Sequence, residues 1–404
     1  MKKILLIILD GLGDRPSKDL GNKTPLQAAN KKNLNFLASK GMVGLFDPIS
    51  PGIRPGSDTA HLSILGYDPY KTYTGRGPFE ALGLGMDLKP GDVAFRGNFA
   101  TVNDNFIVVD RRAGRIDNGT DELAKSLNMK IGDAEILVKE GVEHRAAVVL
   151  RGKNLSSKIT DVDPHQENAS VKESKPLDEK AKLTSDLINE FTRRSYKILD
   201  SHPINIERKK SGKNPANILL VRGAGIVPEL EDFNKKFNLK AACIVGVPLI
   251  SGICKLAGIK PISVPGATGT LNTNMENKIK YAIENLKEFD FILMNIKATD
   301  IAGHDGNAIL KKEVIERADK AFEPLLEHLD EYTIMITGDH STPCSVKDHT
   351  GDPLPVLIST SGIRSDGIDE WNEISAAKGS LRISGKDVIN VLLNYSDRAE
   401  KFGA

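Results

Sequence analysis

The 404-residue sequence is long enough to bury a large core and more naturally forms two domains than one. Its 55 Lys+Arg offset 54 Asp+Glu for a net charge of +1, so it lacks the basic excess of a duplex nucleic-acid binder. No apolar run approaches the ~20 residues that span a bilayer, and three cysteines without a C-x-x-C pair argue against a disulfide framework. A cytoplasmic protein with neither nucleic-acid nor membrane partners is expected.

The N-terminal "MKKILLIILDG" imitates a signal peptide, but its apolar run ends at Asp10 with no small-residue cleavage site after it. It reads as a buried strand over 4–9. In "GSDTAHLSI", Gly56 permits a tight turn and Ser57 starts a helix. Arg76 lies in the glycine-rich "TGRGP", where the backbone can approach an anion closely. From about residue 93, "VAFRGNFATV", "NFIVVDRRAGRI", "EILVKE" and "HRAAVVLRG" alternate between turn signals, as in an antiparallel sheet with a polar face. Polar stretches at 166–180 and 207–215 bracket a helix over 178–199. Residues 93–212 are therefore expected to form a domain inserted into a core made of 1–92 and 213–404.

In that core, short apolar runs at 4–9, 217–221, 241–246, 291–296, 333–337 and 355–360 alternate with helical patterns at 272–288 and 308–329. This pattern predicts an α/β fold with a mostly parallel sheet whose strands are buried on both faces. Thr273 and Glu276 are spaced as a capping box for the first of those helices.

Three of the strands end in an aspartate: Asp10, Asp300 and Asp339. Ligands bind at the carboxyl ends of open parallel sheets, and three carboxylates on one rim repel one another unless a cation lies between them. His304 follows Asp300 by four residues, His340 adjoins Asp339, and His349 lies in the loop beyond. A single strand-end aspartate is commonly a helix N-cap, but separate caps do not explain this whole set. Mixed carboxylate and imidazole ligands suit Zn²⁺, Mn²⁺ or Fe, and six side chains are about right for two ions. Ser57, on the same rim, could coordinate a metal and act as a nucleophile.

The motifs "ILDGLGDRP", "PGSDTAHLSILGYDP", "GRGPFEALG", "DRRAGRI", "DVDPH", "VPGATG", "KATDIAGHDGN" and "GDHSTP", in this order, resemble the alkaline phosphatase superfamily. Within it, they resemble the archaeal-type cofactor-independent (2,3-bisphosphoglycerate-independent) phosphoglycerate mutases. The resemblance implies an alkaline-phosphatase-like three-layer α/β/α core with an inserted, smaller α+β domain that closes over the site. It implies two divalent ions, Mn²⁺, Co²⁺ or Zn²⁺, and no 2,3-bisphosphoglycerate. Asp300, His304 and His349 would hold one ion, and Asp10, Ser57, Asp339 and His340 the other. Ser57 would become phosphoserine while 3-phosphoglycerate and 2-phosphoglycerate, intermediates of glycolysis and gluconeogenesis, interconvert.

The reaction needs a grip on a carboxylate, which suits arginine's bidentate fork. Arg76, Arg111, Arg115 and Arg222 are the candidates, with His165 as acid or base. Lys297 is either a further substrate ligand or a partner to a metal ligand. The metal motifs alone do not separate a mutase from a metal-dependent phosphatase or a homoserine-kinase-like phosphotransferase. Assembly of identical copies stays open.

Overall fold

The computed structural model describes residues 1–403. It divides into two compact units, one made of Met1–Thr72 with the chain from Leu230 onward, the other of Tyr73–Glu229. Among the described residues, no helix is long and apolar enough to cross a membrane.

The first unit is built on an eight-stranded sheet. In spatial order the strands are Lys260–Pro261, Ala241–Ile244, Phe291–Ile296, Lys3–Leu9, Tyr332–Thr337, Leu354–Ser359, Gly41–Asp47 and Leu381–Ser384. The first five are mutually parallel, Leu354–Ser359 is antiparallel to both neighbours, and Gly41–Asp47 runs parallel to Leu381–Ser384. Every residue of Phe291–Ile296, Tyr332–Thr337 and Leu354–Ser359 is buried, as are residues 4–9. Consecutive buried positions require cover on both faces, which is the α/β/α arrangement.

Register explains where the functional residues emerge. Leu9 lies opposite Ile296, and Ile8 opposite Thr337. The residues that follow these strand ends, Asp10, Lys297 to Asp300 and Asp339 to His340, therefore leave the sheet along one edge.

The second unit is an antiparallel sheet in the order Val108–Asp110, Val93–Val102, Arg145–Arg151, Ala134–Glu140, Met129–Ile131, with Ile218–Ile226 also paired to Val93–Val102. On one face, Phe191 and Ile188 of helix Lys182–Asp200 join Val93, Phe95, Val148 and Leu219 in an apolar cluster. On the other, Ala81 of helix Gly77–Gly83 packs with Ala94, Ala147 and Val149.

Several expectations are corrected here. The run at 217–221 is not a core strand; it begins Ile218–Ile226 in the second sheet. The expected polar face of that sheet is covered by helix Gly77–Gly83, and all ten residues of Val93–Val102 are buried. A Cβ on Gly77 would lie 2.0 Å from the Ala94 carbonyl oxygen, so this helix sits hard against the strand. The second unit consequently starts near 73, not 93, and ends near 229, not 212. Of "NFIVVDRRAGRI" only Val108–Asp110 is strand, because the Asp110 carboxylate accepts from the Arg112 and Gly114 amides and turns the chain. The helix Met275–Asn285 is capped by Asn274, while Thr273 accepts from the Thr268 amide. The helix expected over 308–329 is α-helical only over Ala308–Ala321; Pro324 has no N–H to continue it, and a 3₁₀ segment follows.

Candidate active site

Asp10, Asp300 and Asp339 are all buried, and none caps a helix in the ordinary way. Asp10 accepts from Asn295 Nδ2 at 2.9 Å and from Lys297 Nζ at 2.7 Å. Lys297 also meets Asp300 Oδ2 at 2.6 Å, so it lies between two aspartates as a partner to metal-ligand candidates. Asp339 Oδ1 accepts from the Gly11 amide, but its Oδ2 is buried without a hydrogen-bond partner. Gly11 is required here: φ is +65° and a Cβ would lie 2.7 Å from Asp300 Oδ1.

The histidines are oriented through one ring nitrogen each. His304 Nδ1 bonds the Lys347 carbonyl at 2.9 Å, His349 Nδ1 the Pro55 carbonyl at 2.8 Å, and His61 Nδ1 the Ser57 carbonyl at 2.7 Å. A carbonyl only accepts, so Nδ1 carries the proton and Nε2 keeps its lone pair. His340 Nδ1 bonds Thr342 Oγ1 at 3.0 Å, and that hydroxyl donates to Asp300 Oδ1 at 2.8 Å. This relay leaves His340 Nε2 facing Asp339 Oδ2 at 3.4 Å, Asp10 Oδ1 at 3.5 Å and Ser57 Oγ at 3.1 Å. On the other side, His304 Nε2 and His349 Nε2 lie 3.4 and 3.7 Å from Asp300 Oδ1.

Donor atoms thus converge in two groups, Asp10–Asp339–His340 and Asp300–His340–His349. His340 meets Asp300 Oδ1 through Nδ1 at 3.9 Å, the nitrogen that Thr342 engages, and turns the Nε2 lone pair toward the first group. Half-exposed His304, expected with Asp300 and His349, lies 3.4 Å from Asp300 Oδ1 but outside both groups.

The electrostatics ask for positive charge. Burial and the neighbouring Asp10 carboxylate push Asp339 well above the usual carboxylate range. Burial opposes the charge of Lys297, yet Asp10, Asp300 and Asp339 outweigh it and raise that ammonium. Asp300 is likewise held low against its burial by Lys297 and His340. Burial lowers His340 and His349, which keeps them neutral and ligand-competent. Orphaned Asp339 Oδ2 together with neutral imidazole lone pairs is a donor set that fits divalent cations. Ser57, buried, is the first residue of helix Ser57–Ile64, and Gly56 is its N-cap.

The arginine candidates lie in the second unit. Arg111 Nη2 meets Asp163 Oδ2 at 2.7 Å, and Arg222 Nε lies 3.8 Å from the same oxygen. Arg222 Nη1 donates to His165 Nδ1 at 3.0 Å, which makes Nε2 the protonated nitrogen that donates to Asp161 at 3.1 Å. His165 is therefore tied at both ring nitrogens. Arg76 Nε donates to Glu80 at 3.2 Å. Arg115 sits in a loop at φ +56°.

Residues 38–205 match the family described as 2,3-bisphosphoglycerate-independent phosphoglycerate mutase. A relative of that description from Thermoplasma volcanium is 56% identical over 404 residues, covering 100% of this chain and 99% of its own. The chain belongs to the 2,3-bisphosphoglycerate-independent phosphoglycerate mutases. It is an enzyme of that family. A solved cofactor-independent phosphoglycerate mutase from Thermoplasma acidophilum is 46% identical with a TM-score of 0.72, over 98% of this chain and 100% of that one. A solved protein of Pyrococcus horikoshii is 42% identical with a TM-score of 0.87, over 100% and 99%.

Sequence reasoning missed Thr342, Asn295, Glu80 and Arg96. Thr342 and Asn295 touch the metal-ligand candidates; the available signal was a polar side chain near the end of an apolar strand for Asn295 and closeness to Asp339 and His340 in the chain for Thr342. Arg96, buried in mid-strand, and Glu80, on helix Gly77–Gly83, offered only the oddity of a charge inside an apolar pattern.

Proposed function

We propose that this mutase interconverts 3-phosphoglycerate and 2-phosphoglycerate through a phosphoserine on Ser57, at a centre for two divalent cations. The observation that carries the reading is the buried Ser57 hydroxyl, 3.1 Å from His340 Nε2 and at the N-terminus of its helix, beside the converging carboxylates. Asp300, His304 and His349 would hold one cation and Asp10, Ser57, Asp339 and His340 the other. Such ions lower the proton affinity of the serine hydroxyl and offset the phosphoryl charge.

Ser57 Oγ attacks the phosphorus of the bound phosphoglycerate and loses its proton. The bond between phosphorus and the glycerate oxygen breaks, and that oxygen is protonated. The helix N-terminus favours the anionic phosphoryl group now on Ser57. Glycerate turns without leaving, its other hydroxyl attacks the phosphoserine phosphorus and gives up a proton, and the serine is restored. Water must be kept out meanwhile, or phosphoserine hydrolyses. In this reading Arg76, Arg111, Arg115 and Arg222 grip the substrate's anionic groups. His165 holds Arg222 in place; for it to transfer a proton, one of its two bonds must open.

Phosphoglycerate labelled in its phosphate tests this. After an acid quench during turnover, the peptide containing Ser57 should carry label, and Ser57→Ala should carry none and lose several orders of magnitude in rate. Near-parental mutase activity in Ser57→Ala with metals bound would remove the serine from the mechanism.

A further inference from the structure

We infer that Glu80 is a positioning residue: its carboxylate holds Arg76 and Arg96 as a preorganised pair that takes one oxyanion of the substrate. Glu80 Oε1 accepts from Arg76 Nε at 3.2 Å, one helical turn away, and the same oxygen lies 3.6 Å from Arg96 Nη1. One carboxylate oxygen thus faces two guanidinium groups, both within the second unit.

Arg96 is the informative member. It is 8% exposed, in the middle of strand Val93–Val102, and its Nε is buried without a hydrogen-bond partner. At 3.6 Å the contact with Glu80 is an ion pair rather than a hydrogen bond. A buried guanidinium donor normally finds an acceptor, so Arg96 retains donor capacity that no protein group takes. Across the sheet it stands opposite Arg222, whose own nearest carboxylate is Asp163. Burial and repulsion from Arg76, Arg145 and Arg222 push Arg96 well below the usual range, and Glu80 is the carboxylate that opposes them. At Arg96, three cations therefore oppose one carboxylate.

A bound oxyanion would supply the missing charge and accept from the fork. Glu80 fixes the side chains beforehand, which lowers the ordering cost when that oxyanion arrives. That the oxyanion belongs to phosphoglycerate rests on the mutase reading; that the cluster takes an oxyanion does not. Phosphoglycerate offers a carboxylate and a phosphate, and either satisfies this chemistry.

Glu80→Gln keeps the shape and removes the charge that holds both arginines. In the full-length enzyme, KM for 3-phosphoglycerate should rise about tenfold or more while kcat changes by less than about threefold; Glu80→Asp should recover part of the loss. Ligand-observed NMR titrations with D-glycerate, which has no phosphate, and with glycerol 3-phosphate, which has no carboxylate, identify the group. Loss of about tenfold in affinity for either probe supports the inference and names the group held. Arg96→Lys, which keeps the charge but not the fork, should weaken the same probe and serves if Glu80→Gln does not fold. Unchanged affinity for both probes in a folded variant overturns it. A parent enzyme without mutase activity would refute the function proposed above, whereas the titrations would still decide the role of Glu80.

Discussion

Replacing Thr342 by valine removes one hydroxyl with almost no change in shape, at a site that is fully buried. That hydroxyl accepts from His340 Nδ1 at 3.0 Å and donates to Asp300 Oδ1 at 2.8 Å, so a single oxygen ties together residues of both donor groups. Two buried hydrogen bonds are lost, one of them to a carboxylate, which should cost about 2–4 kcal/mol of stability. More telling is the effect on tautomer. Without the acceptor at Nδ1, the His340 proton is free to move to Nε2, and the lone pair facing Asp10, Asp339 and Ser57 disappears. Partners of this kind typically tune cation affinity by about 10–100-fold. Co²⁺ titration followed by visible absorption measures that affinity, and urea denaturation in chelator measures stability. If the valine variant loses stability as expected but binds Co²⁺ within about twofold of the parent, Thr342 only braces the loops and does not orient His340.

Chelation should abolish mutase activity, and Mn²⁺, Co²⁺ or Zn²⁺ should restore it better than Ca²⁺, because the donors mix imidazole with carboxylate; full activity in protein shown metal-free by elemental analysis would contradict this. Lys278 is fully enclosed, bonds the Asn295 carbonyl at 2.7 Å, and burial lowers its ammonium from 10.5 to about 8. Folding then releases its proton between pH 8 and 10.5, so this group destabilises the fold by roughly 3 kcal/mol below pH 8 and progressively less as pH rises toward 10.5. Lys278→Met should therefore gain over the parent at pH 7, with the gap narrowing above pH 8; a gap constant with pH, by denaturant midpoints, would show that the lysine is not strained.

The metal-ligand candidates were legible in the sequence because their signal is local. An apolar run of six residues ending in aspartate, or an i, i+4 Asp–His pair, has its meaning within a few residues, and parallel register then delivers three such ends to one edge. Ser57 was legible for the same reason, since Gly56 and the helix behind it adjoin it. What local pattern could not decide was partnership. The run at 217–221 is equally apolar in either sheet, and only pairing with Val93–Val102 assigns it to the second unit. The Lys347 and Pro55 carbonyls that set His304 and His349 are backbone groups present at every residue, so their role exists only once the chain has folded. Arg96 reads as an anomaly in a strand until Glu80, sixteen positions earlier and on a helix, lies beside it. Residue type and spacing fixed which chemistry was available; long-range packing decided which atoms face one another, because hydrogen bonds and ion pairs act over a few ångströms of space rather than along the sequence.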